Sequence, residues 1–181
     1  MGGSLKSRAM ALKKIILHPD PMLKKTCAPF ERVDKDVLRL ADDMLETMYD
    51  APGVGLAAPQ IGVLSRMFVM DCTGKEDEPD PRVFINPEVV WTSDETNVYN
   101  EGCLSLPDMF EDVERPAQAR VKYIDLDGNE QEEEFDGLWS TCAQHEIDHL
   151  NGKLFIDYLS GLKRSMITKK MLKLKKELAR R

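Results

Sequence analysis

The stretch QHEIDHLNG, residues 144–152, constrains this chain more than any other. It holds two of only three histidines in 181 residues. On an α-helix His145 and His149 lie one turn apart on the same face, so their imidazoles can converge on one ion. Glu146 sits beside the pair, where its carboxylate can hold a water and accept its proton. An HExxH string also arises by chance on polar helix faces. This helix is not polar: Leu138, Trp139, Cys142, Ile147 and Leu150 predict that it is largely buried. Histidines and carboxylates inside a core need partners, and a metal ion provides one.

A catalytic metal site needs a third protein ligand and an open position. Thermolysin-like zincins take a downstream glutamate on a second helix, and metzincins a histidine in an extended HExxHxxGxxH motif. Here no histidine follows His149, the residue six beyond it is Phe155, and the downstream acids are Asp157 and Glu177. The protease reading therefore lacks its third ligand. Cys103 in NEGCLSLPD is the better candidate, with Gly102 letting the backbone approach closely and Pro107 expected to end the turn. A chain of this size buries about two thirds of its unfolded surface without a stapling metal, so an ion here is functional rather than structural.

The rest of the chain divides into elements that order themselves as helix, strands, helix, helix. Residues 35–49 put Val37, Leu38, Ala41, Met44, Leu45 and Met48 at helical spacing, closed by Pro52-Gly53. GVGLAAPQIG, with three glycines and a proline in ten residues, reads as a shaped loop rather than a regular element. Strands are expected at 66–71, at 83–91 with a break at Pro87, at 94–100, around ARVKYIDLD and at NEQEEEFD, the last two joined at Asp127-Gly128. The acidic run Glu132–Glu134 reads as a solvated strand face. The last helix, about 160–179, is expected to bury Leu162, Met166, Leu174 and Leu178. This order argues α+β rather than a doubly wound sheet, with an N-terminal and a C-terminal helix, in one domain from residue 10 to 181. Residues 1–9 read as an extension.

Composition excludes several classes. No apolar run approaches the roughly 18 residues of a membrane span, and the first ten residues have neither a secretory core nor the myristoylation pattern. Cys27, Cys72, Cys103 and Cys142 stand far apart, which favours reduced thiols in a cytosol-like compartment. The net charge of −7 hides an asymmetry. From Lys163 to Arg181 there are nine basic residues against one acidic, giving +8 there and −15 elsewhere.

Three stretches, GVGLAAPQ at 53–60, EGCLS at 101–105 and QHEIDHLNG at 144–152, together resemble the signature motifs of the peptide deformylases. The EGCLS form and the long terminal helix resemble the type I branch, found in bacteria and organelles. The resemblance implies an α+β fold with antiparallel sheets around a central, metal-binding HExxH helix, and hydrolysis of the N-formyl group from the formyl-methionine of nascent polypeptides, releasing formate. It implies that Cys103, His145 and His149 bind one divalent metal, leaving a fourth position for water, and that Glu146 is general base and acid. The Gln60 amide and the Leu104 N–H would face the oxyanion. Gly55 would contact the peptide backbone, and Val54, Leu138 and Cys142 would line the methionine pocket. Core packing would equally explain those last three.

Glu101 is expected to pair with Arg115, and Asp148 to orient a neighbour. Two imidazoles and a thiolate suit several ions; the resemblance implies Fe(II) physiologically, with Zn, Ni or Co as substitutes. It also implies a cytoplasmic location, or an organelle, and docking of the basic terminal helix near the ribosomal exit tunnel, with no membrane or DNA partner. Removing residues 165–181 is then expected to weaken ribosome binding and spare activity on short formyl peptides. The alternatives are a metalloprotease cutting internal bonds and a noncatalytic, metal-stabilised RNA-binding module.

Overall fold

The computed structural model describes residues 12–181, so the expectation for residues 1–9 lies outside the described part. Helix α1 (Lys35–Asp50) starts where the Asp34 carboxylate accepts the N–H groups of Asp36 and Val37, satisfying two of the donors that a helix start leaves free. Its buried side is Val37, Ala41, Met44, Thr47 and Met48; Leu38, expected inside, is exposed because it falls one position off that stripe.

Five antiparallel strands follow in one sheet of order β1-β2-β3-β6-β7: β1 (Gly55–Ala57), β2 (Met67–Met70), β3 (Arg82–Thr92), β6 (Ala119–Ile124) and β7 (Glu130–Phe135). The other two, β4 (Thr96–Cys103) and β5 (Leu106–Pro116), form a separate hairpin. The glycine-rich segment is thus more regular than its composition predicts. Gly55–Ala57 pairs with Phe68–Met70, and Ala58–Ile61 closes as a 3-10 turn. Small residues let β1 lie flat beneath a helix, which the backbone permissiveness of glycine allows but does not forecast.

Pro87 does not break β3. It falls within a register shift between Ile85 and Glu88, where a missing donor is tolerated. Asn86 holds the bulge at φ 50°, its side chain bonding the N–H and C=O of Phe30. The turn after Cys103 closes before Pro107, as expected: Leu104 and Ser105 make it, and β5 begins at Leu106 and runs eleven residues along β4. The hairpin at Asp127-Gly128 forms as expected, with Gly128 at φ 84°.

Helix α2 (Gly137–Leu150) runs between the two sheets, packed on β1, β2, β3 and β7 on one side and β5 on the other. That position explains why ten of its fourteen residues are buried and why it has no polar face. Its end is fixed by Gly152, at φ 76°, where a side-chain carbon would stand 2.4 Å from the Lys24 carbonyl oxygen.

Helix α3 (Gly161–Ala179) buries Ile167 and Met171, with Leu174 partly covered, against Leu23, Leu106, Leu154 and Phe155. The expected stripe was out of phase: Leu162, Met166 and Leu178 face outward, and the docked face is the i, i+4, i+7 set starting at Ile167.

Candidate metal centre

His145 and His149 project from the same side of α2, and the bulged end of β4 carries Cys103 towards them. The two Nε2 atoms are 3.2 Å apart, and Cys103 Sγ lies 3.4 Å from His149 Nε2. All three ligand atoms fall within 4.8 Å of one another. Donors held at about 2.1 Å (nitrogen) and 2.3 Å (sulfur) around a tetrahedral ion lie roughly 3.3–3.6 Å from each other. The three side chains thus fit one ion, and no other group of three or more His, Cys, Asp or Glu side chains converges in this way among the described residues.

The surroundings orient the ligands. His145 Nδ1 lies 2.8 Å from Glu101 Oε1, which leaves Nε2 turned to the site. The Arg115 guanidinium donates to both Glu101 oxygens, from Nε at 2.7 Å and Nη2 at 3.0 Å, and from Nη1 to Asp148 at 2.8 Å. Tyr158 donates its hydroxyl proton to the same Asp148 oxygen at 2.7 Å. A chain of charge-assisted bonds therefore runs from the molecular surface to a ligand imidazole, the outer support that metal-binding histidines usually have. The expected Glu101–Arg115 pair is present, and Asp148 orients Arg115. Tyr158 escaped the sequence reading because nothing in DYLSG marks a tyrosine that reaches back onto α2.

Burial works against a charged His145, but the hydrogen bonds of Cys103 and Glu101 and the charge of Glu146 outweigh it and raise its pKa to about 10. His149 goes the other way, held well below the usual range by burial and by its charged neighbour His145. Burial raises the Glu146 carboxyl to about 7, and its Oε2 has no hydrogen-bond partner. A buried carboxyl poised near neutrality, neither of whose oxygens takes a hydrogen bond from the described residues, is suited to receive a proton and return it.

Gln60 is 1% exposed and fixed at both ends of its amide. Its Oε1 accepts the Ala57 N–H at 2.9 Å, so its Nε2 is directed towards Ser105 Oγ at 3.1 Å and Cys103 Sγ at 3.4 Å. Ser105 is a further residue that sequence reasoning left without a role.

A cavity of about 580 Å³ opens over these groups. Gln60, Cys103, Leu104, His145 and Glu146 line it, as do Gly55, Val54, Leu138 and Cys142, while His149 lies beneath at 1% exposure. Val54 and Leu138 are 47% and 41% exposed, so core packing does not account for them. At Gly55 a side-chain carbon would stand 2.7 Å from Glu146 Oε1 and 2.9 Å from Cys142 Sγ. The glycine therefore makes room for the buried carboxylate itself, apart from any contact with a ligand.

Residues 12–165 match the family model for polypeptide deformylase. A peptide deformylase of Rhizobium meliloti is 57% identical over 164 residues, covering 91% of this chain and 94% of that protein. One from Mesorhizobium japonicum is 56% identical over 94% of this chain and 97% of that one. Among solved structures, a peptide deformylase from Legionella pneumophila superposes with a TM-score of 0.87 at 46% identity, covering 94% of this chain and 99% of that one.

Proposed function

The chain belongs to the polypeptide deformylase family and removes the N-formyl group from nascent peptides, and we propose that it does so at a metal held by Cys103, His145 and His149. The observation that carries this assignment of residues is the convergence of one thiol and two imidazoles beneath a cavity whose wall holds a buried carboxyl. A bound divalent cation supplies Lewis acidity there, lowering the pKa of a water towards ~7 and polarising a carbonyl oxygen.

Glu146 takes the proton of the attacking water on its carboxylate and returns one to the leaving amine, which departs as the new N-terminus. Gln60, its amide already turned to the site, and the Leu104 N–H stabilise the oxyanion, each donor contributing about 3–4 kcal/mol to the barrier reduction. The methionine side chain enters between Val54, Leu138 and Cys142. β1 is the edge strand of its sheet, which supports the reading that the peptide runs extended beside Gly55.

An N₂S ligand set accepts Fe(II), Zn, Ni or Co; we assign Fe(II) as the physiological ion on the family resemblance. No described helix is long and apolar enough to cross a membrane. The substrate arises where translation occurs, which supports a cytoplasmic enzyme. The nine basic residues from Lys163 onward, against an acidic body, support docking of α3 on ribosomal RNA near the nascent chain.

Formate release from formyl-Met-Ala-Ser by anaerobically purified protein tests the reading. We expect Glu146→Ala to retain its metal and lose about 10²–10⁴-fold in kcat. A metal-loaded wild type that releases no formate, or that cuts internal bonds instead, would overturn it.

A further inference from the structure

The 3-10 turn Phe155–Tyr158 lies just ahead of α3 and reaches the candidate centre from both of its ends. The Phe155 ring, 1% exposed, stacks on the His145 imidazole with centroids 6.2 Å apart and planes 22° from parallel. Tyr158 reaches the same imidazole through two shared oxygens. Asp148 Oδ2 accepts both the Tyr158 hydroxyl at 2.7 Å and Arg115 Nη1 at 2.8 Å. Glu101 Oε1 accepts Arg115 Nη2 at 3.0 Å and lies 2.8 Å from His145 Nδ1. The turn itself is held in place, because the Asp157 carboxylate accepts the Leu154 N–H and the Lys24 ammonium, each at 2.9 Å.

We propose that Tyr158 is a positioning residue for His145, and that its hydroxyl, rather than its ring, sets how tightly the centre holds a divalent cation. The links between them are not equally enclosed. The Arg115 and Glu101 side chains are 4% and 5% exposed, so that pair is closed off from solvent. The Asp148 side chain is 18% exposed and borders a cavity of about 400 Å³ that Arg66, Gln144, Asn151 and Tyr158 also line. Water can compete for Asp148, and the Tyr158 hydroxyl holds the oxygen on which Arg115 Nη1 depends. A guanidinium is planar and rigid, so a displacement at Nη1 is passed on to Nε and Nη2. Both of those bond Glu101, whose Oε1 aims the imidazole.

The Tyr158 ring has a separate task. It packs against the Arg115 guanidinium at 4.8 Å and the Lys153 ammonium at 4.6 Å. Phenylalanine keeps that packing and removes only the hydroxyl. The proposal rests on the reading that Cys103, His145 and His149 hold the ion.

Zinc affinity of the wild type, Tyr158→Phe, Glu101→Gln and the double variant is measured by competition with a chelating dye. Tyr158→Phe is expected to weaken zinc binding about 3–10-fold, less than the roughly 10–100-fold for a direct partner of a ligand histidine, because Asp148, Arg115 and Glu101 stand between. Its Co(II)-loaded form should show shifted visible absorption bands, a signature of ligand geometry that a loss of stability alone does not move. In the Glu101→Gln background the substitution should cost nothing further, since the route is already broken. Unchanged zinc affinity, an unchanged Co(II) spectrum, or losses that add in the double variant would each overturn the proposal. Wild-type protein that binds zinc no better than His149→Ala would instead refute the ligand reading, so the two failures are told apart.

Discussion

Glu101 and Gly55 bear on the candidate centre without being among its three converging side chains. Glu101 fixes His145 through a 2.8 Å bond at Nδ1 and is itself held by two bonds from Arg115. Replacing it with glutamine keeps the size but frees one Arg115 donor and loosens the imidazole. Glu101→Gln is expected to weaken metal affinity about 10–100-fold, read by competition with a chelating dye; unchanged affinity would assign Glu101 to structure alone. Gly55→Ala sets a methyl group 2.7 Å from Glu146 Oε1, so the carboxylate must move. A misplacement of about 1 Å costs on the order of 10²-fold in rate. We expect that loss in kcat with the thermal midpoint shifted by no more than a few degrees, measured by formate release and calorimetry on the same preparation.

At the scale of elements, α3 has two faces with separable roles. Ile167 and Met171 are buried against Leu23, Leu154 and Phe155, so removing residues 165–181 would take out core as well as charge. A cut after Met171 leaves those two in place and still removes Lys173, Lys175, Lys176, Arg180 and Arg181. That truncation is expected to weaken ribosome binding with a shallower salt dependence, while activity on short formyl peptides stays close to wild type. Met171→Ala should do the reverse, costing about 2–5 kcal/mol of stability without changing ribosome affinity. Urea midpoints and sedimentation with ribosomes distinguish the two, and equal behaviour of both variants would argue against separate faces. The stripe on α3 was misread from sequence because its apolar residues run nearly all the way round, so spacing did not pick out which side meets the body. The α2 helix was legible for the opposite reason: its buried residues outnumber any single face, which only a central helix can satisfy.

For the whole molecule, acid stability should track carboxylates held by their neighbours. Burial pushes the Asp71 carboxyl up, but bonds from the Thr73 hydroxyl, the Tyr49 hydroxyl and the Thr73 and Asp80 N–H groups prevail and hold it below its ordinary 3.8. A depressed pKa contributes stability that is present above the unfolded value and lost as pH falls through the folded one. Asp71→Asn, less stable at neutral pH, should therefore lose less than wild type below about pH 3.8, and the two urea midpoints should converge in acid. Parallel curves would remove Asp71 from the account. The candidate ligand types, the helix beneath them and the α+β order were legible in the sequence itself, because periodicity, HExxH spacing and turn residues are local. Tertiary structure alone decided the rest. It brought Cys103 within 3.4 Å of His149 across 46 positions, and it extended β5 along β4 through a proline. It also turned Gly55 towards Glu146 and set Tyr158 on the far end of the Arg115 bridge. Each of these depends on which surfaces of separate elements come into contact, and that is fixed by close packing of the whole core, which no short window of residues records.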